Sequence, residues 1–64
     1  MENALRMEYD FETKTAIVEF AADDTYKTET VARYFEDASD GKVELIKIMQ
    51  RGKPTVEIRR PFVV

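Results

Sequence analysis

Covalent chemistry near neutral pH usually relies on His or Cys, and this chain has neither. The common acid–base group and the strongest side-chain nucleophile are thus both missing. The one serine, Ser39, stands at the end of a helical segment without a basic neighbour, and a hydroxyl needs a positioned base to become a nucleophile. Asp23 and Asp24 suit a turn better than hydrolytic work, because short acidic side chains bond back to nearby backbone. The run EDASDGKVE, residues 36 to 44, imitates a calcium loop at Asp40-Gly41. With Gly41 as its sixth position, however, Ala38 falls at the third and Lys47 at the twelfth, where the loop requires oxygen ligands. No catalytic residue, metal site or cofactor is expected.

What remains is recognition chemistry. Residues 1–40 carry eleven acids against four bases, a net of −7, while residues 41–64 carry six bases (Lys42, Lys47, Arg51, Lys53, Arg59, Arg60) against Glu44 and Glu57, a net of +4. Such asymmetry either marks an electrostatic docking surface or is neutralised across a sheet by opposite-charge pairs. Arg51, Lys53, Arg59 and Arg60 are expected to gather at one end of a C-terminal hairpin. With an aromatic nearby, that surface could bind phosphates and stack bases, although the sequence pI of about 4.9 lies far from the basic range of most nucleic-acid-binding domains.

The elements that would position these residues follow from periodicity. Leu5, Met7, Tyr9 and Phe11 alternate with Arg6, Glu8 and Asp10, and Ala16, Val18 and Phe20 alternate again after the polar run Glu12-Thr13-Lys14-Thr15. This predicts a hairpin with Phe11 facing Ala16, Tyr9 facing Val18 and Met7 facing Phe20, which sets Glu8 opposite Glu19. Thr25 to Thr28 could add a short strand. Thr28 as cap, Glu29 in the first turn, and Val31, Tyr34, Phe35 and Ala38 at helical spacing predict about three helical turns, closed by Gly41 as a left-handed cap.

Val43 to Met49 and Thr55 to Arg60 read as two strands joined by a turn at Arg51-Gly52. In that register Leu45 faces Ile58 and Lys47 faces Val56 on the helix side, and Pro61 ends the strand or lies at a sheet edge. The expected fold is one α+β domain over residues 1–64, an antiparallel sheet of four to five strands with one helix on one face, in the order ββ(β)αββ, with Phe62-Val63-Val64 extending beyond it. One helix covers one sheet face. On the other face this register exposes Ile17, Ile46 and Ile48, and clustered exposed apolar residues mark association sites. A one-residue slip would instead return the strand's apolar set to the core.

With 64 residues and no Cys, the core is small and has no disulfide support. No basic start with an apolar run suggests a signal peptide, and no segment has the ~18 consecutive apolar residues of a membrane span. A soluble, cytoplasmic protein is expected.

The stretch YDFETKTAIVEFAADDTYKTETV, residues 9 to 31, resembles the KTSC domain, a small module also found appended to lysyl-tRNA synthetases. The similarity lies in Tyr9, Asp10, Glu12, Thr13, Val18, Phe20 and Tyr26, with Ala38-Ser39-Asp40-Gly41 similar to that family's helix end. The resemblance covers about half the chain, residues 9 to 41, and departs from the family in the shorter helix and in the hairpin from Val43. It implies an accessory binding module without catalytic residues. In length, in a strand-rich order with one helix, and in Arg59-Arg60-Pro61, the chain is also similar in form to small phage proteins that inhibit host enzymes. The sequence therefore points to a non-enzymatic protein-interaction module, a regulator or inhibitor of a larger enzyme or a homodimer. It would dock through Ile17, Ile46, Ile48, Arg51, Lys53, Arg59 and Arg60. The alternative is an accessory nucleic-acid-binding domain using the basic hairpin.

Overall fold

A computed structural model describes residues 3–62. Among these the chain forms strands β1 (Arg6–Asp10) and β2 (Thr15–Phe20), helix α1 (Thr28–Ala38), and strands β3 (Leu45–Gln50) and β4 (Lys53–Arg59). The expected small α+β order with one helix is present. The strands lie in sequence order in one sheet, and the sheet is mixed rather than wholly antiparallel: β1–β2 and β3–β4 are antiparallel hairpins, while β2 and β3 run parallel. Parallel neighbours need a crossover of a dozen or more residues. Residues 21 to 44, with α1 in their middle, supply it, and the expected strand at Thr25 to Thr28 does not form because that stretch leads directly into the helix.

The core is the contact between α1 and the two central strands. Ala16, Val18 and Phe20 of β2, Ile46 and Ile48 of β3, Val31, Ala32 and Phe35 of α1, and Val43 are buried together. The helix stripe is rotated from the predicted one. Tyr34 and Ala38 are exposed, and Ala32 and Ser39 take the buried positions. Lys27, not Thr28, is the N-cap residue and makes no side-chain cap bond. At the other end the Gly41 amide donates to Glu36 O at 2.8 Å and the Asp40 amide to Asp37 O at 3.2 Å, the paired bonds of a Schellman termination. Asp40 (φ +56°) and Gly41 (φ +77°) both adopt left-handed backbone, so the left-handed position begins one residue before the glycine.

In the first hairpin Asp10 Oδ1 accepts bonds from the Glu12 and Thr13 amides at 2.8 and 3.2 Å, which starts the turn at Phe11. Tyr9 therefore pairs with Ala16 and Met7 with Val18. This register differs by two residues from the predicted one, so every side chain keeps its face. Glu19 now lies across from Arg6, whose Nε is 3.6 Å from its Oε1, and the expected Glu8–Glu19 opposition is gone.

The second hairpin carries the larger correction. The turn at Arg51-Gly52 forms as expected, with Gly52 at φ +81° and Gln50 paired to Lys53. Beyond it, Ile48 pairs with Val56, Ile46 with Ile58, Lys47 with Glu57 and Leu45 with Arg59. Between these pairings two residues of β4, Pro54 and Thr55, stand against Met49 alone. This is a bulge, placed where Pro54 has no amide hydrogen to give to a ladder. One inserted residue changes which side chains of the two strands share a face. The extra residue brings Ile58 of β4 opposite Ile46, while the pairing of β3 with β2, Ile46 beside Ala16 and Ile48 beside Val18, sets the inward face of β3: Ile46 and Ile48 are 0% and 1% exposed, and Leu45 and Lys47 lie on the open face. Pro61 follows the end of β4, and Phe62 packs against the core; Val63 and Val64 lie outside the described residues.

Candidate functional site

The seven residues expected to dock a partner do not form one surface. Of the three isoleucines only Ile17 lies on the open face, half-buried between Glu8 and Lys47. Ile46 and Ile48 are core residues, set inward beside Ala16 and Val18 of β2. The basic residues separate as well. Arg51 and Lys53 sit at the turn end of β4, while Arg59 and Arg60 lie at its far end, about 20 Å away along six residues of strand. Arg59 points with Leu45 to the open face and is 3.6 Å from Glu57.

Arg60 is a structural clamp rather than a free cation. Its Nη2 donates to Glu36 Oε2 at 2.9 Å, Gly41 O at 2.9 Å and Val43 O at 2.7 Å, and its Nε donates to Val43 O at 3.0 Å. The last turn of α1 has no basic residue of its own, so this guanidinium supplies the positive charge that a helix C-terminus favours. Sequence reading missed two further tethers. The buried Gln50 Nε2 donates to Ala21 O at 2.8 Å and Asp24 O at 2.6 Å, pinning the start of the crossover. Ser39 Oγ accepts from the Val43 and Lys42 amides at 2.9 and 3.2 Å, which commits that hydroxyl to holding the helix end.

Most of the exposed apolar surface is instead on and beside β1, with Tyr34 of α1 and Val56 of β4 exposed elsewhere. Leu5 is 66% exposed, Met7 39% and Phe11 78%, and half-buried Tyr9 lies in the same run. The reason is the width of the layer above them. A helix is about 10–12 Å across, whereas four strands at ~4.8 Å spacing put the outer strand axes about 14 Å apart. The helix covers β2 and β3 and leaves both flanks open. On the β4 flank, Arg60 and Phe62 reach back toward Ala32 and Glu36 of the helix, partly closing it. On the β1 flank Leu5 is largely exposed and Met7 partly so, and the Tyr9 and Phe11 rings meet edge to face, 4.9 Å between centroids.

The reverse side of β1 is charged. Arg6 Nη1 is 2.8 Å from Glu8 Oε2, and Glu8, Asp10 and Glu12 rim a shallow hollow of about 840 Å³ that Phe11, Ile17 and Lys47 also line. Among the described residues no group of His, Cys, Asp or Glu is arranged to hold a metal ion, and none of their helices is long and apolar enough to cross a membrane. The arrangement has an unpaired strand edge, an apolar side, a charged side and an exposed aromatic at one end, features that suit strand addition. No protein-family model matches this chain, and no curated protein or solved structure is significantly similar to it.

Proposed function

We propose that this chain is a non-enzymatic protein-interaction module of the cytoplasm that docks through the free edge of β1 on a protein partner, either its own copy or a larger protein that it regulates. The observation that carries the reading is the coincidence of exposed apolar side chains, Leu5 and Met7 next to half-buried Tyr9, with an edge strand whose outer backbone groups have no strand partner among the described residues. Main-chain bonds to such an edge supply affinity, and alternate side chains supply selectivity. The basic turn at Arg51 and Lys53 contributes only long-range steering in this reading.

Capture experiments with tagged wild-type protein, Met7→Lys and the double variant Arg51→Ala/Lys53→Ala test it. A partner retained by the turn variant and lost by Met7→Lys is the expected result. A partner that ignores Met7→Lys and is lost with the turn charges would move the docking surface to the β3–β4 hairpin and refute the β1 assignment.

A further inference from the structure

The charge order along β1 identifies what fits against it. Residues 5 to 10, the five of β1 and Leu5 at the bend before it, read Leu5-Arg6-Met7-Glu8-Tyr9-Asp10, with the base ahead of the acids. Two such strands running antiparallel, with matching faces toward the same side, set early residues of one against late residues of the other. Centred on Met7, this pairing puts Met7 against Met7, Leu5 against Tyr9, and Arg6 of each copy against Glu8 of the other, with no like-charge opposition among them. Opposite charges directly across a ladder stabilise it, as do aromatic and aliphatic pairs.

The other edge of the sheet is unsuited to such pairing. Strand β4 carries Lys53, Pro54, a bulge and Arg59, which are the devices that keep an edge from joining another chain. Strand β1 has no Pro, Gly or Lys and no irregularity in its pairing with β2. Resting on the docking role of β1 proposed above, we infer that its occupant is a second copy of this chain, joined antiparallel about a two-fold axis through Met7 to make a continuous eight-stranded sheet.

Sedimentation of the purified protein from low to high micromolar concentration tests the inference, together with two sets of variants. Wild type should pass from monomer to dimer. Arg6→Glu makes every facing charge acidic and should weaken the dimer about tenfold; mixed with Glu8→Lys/Asp10→Lys it should form a heterodimer, although neither variant self-associates well. Because the chain lacks Cys, Met7→Cys gives a clean second readout: under mild oxidation it should form a disulfide-linked dimer, and Arg51→Cys should not. Wild type that stays monomeric throughout would overturn self-pairing while leaving β1 docking to the capture experiment. A dimer unaffected by Arg6→Glu and cross-linked as readily through Arg51→Cys would overturn the placement at β1.

Discussion

The two edge strands of this sheet have similar length and equal access to solvent, yet they are built differently. β4 is interrupted by a proline and a bulge one residue after its turn, carries cations toward both ends, and has Arg60 and Phe62 folded back onto the helix beside it. β1 alternates without interruption, and its large apolar residues lie beyond the helix. A single helix stabilises two strands and leaves the flanks to be managed separately. In this molecule one flank is partly closed from within, with Val56 of β4 still exposed, and the other presents the larger exposed apolar surface.

The sharpest way to break this comparison is to put a charge on a side chain that β3 turns into the core. Ile46→Asp should abolish cooperative folding in urea, since a buried unpaired carboxylate costs more than the ~3–5 kcal/mol that a core of this size supplies. Met7→Lys, which places its charge on the open flank, should leave the midpoint nearly unchanged. A folded Ile46→Asp protein would mean that the isoleucines face outward after all. Phe35→Ala, a truncation at the centre of the core, should cost about 3–5 kcal/mol and produce a largely unfolded near-ultraviolet spectrum.

Arg60→Ala tests the closed flank and should lower the unfolding free energy by about 1–3 kcal/mol, because the Val43 carbonyl loses its charged donor. Pro54→Val sharpens the comparison from the other side. It restores an amide donor to the β4 edge at a stability change of less than about 1 kcal/mol, and self-association measured by light scattering should rise. No rise would show that the bulge and the cations protect that edge without the proline. Smallest of all, Asp40→Gly relieves a left-handed non-glycine residue and removes an acid from the helix C-terminus. A gain of up to about 1 kcal/mol, seen as a melting temperature about 4–8 °C higher, is expected.

Local rules served well where the element was local. The helix around Val31 and Phe35 and the turn at Arg51-Gly52 form where the residues indicate, and of the alternating run Leu5 to Phe11 the strand takes Arg6–Asp10. The first hairpin tolerated a mistaken loop boundary because the shift was even. In the second hairpin the same kind of reasoning failed by one residue. Pro54 was the visible signal: a residue without an amide hydrogen directly after a tight turn is where a ladder gives way.

The candidate surface was harder to find. The sequence shows that the β1 stripe is apolar, but alternation indicates which residues share a face and not whether the helix above is wide enough to cover it. Likewise the cations of the C-terminal segment are close in sequence, but a strand separates them in space, and Arg60 is drawn to the helix end by Glu36 and two carbonyls.

By itself, then, the sequence determined the elements, their order and their amphipathic faces, since these depend on periods of two and 3.6 residues and on turn chemistry within a few positions. Only the tertiary structure decided that β2 and β3 run parallel, that this pairing turns Ile46 and Ile48 to the core, and that β1 is the less covered edge. Those outcomes depend on how a narrow helix sits on a wider sheet, a competition among distant contacts that no local window contains.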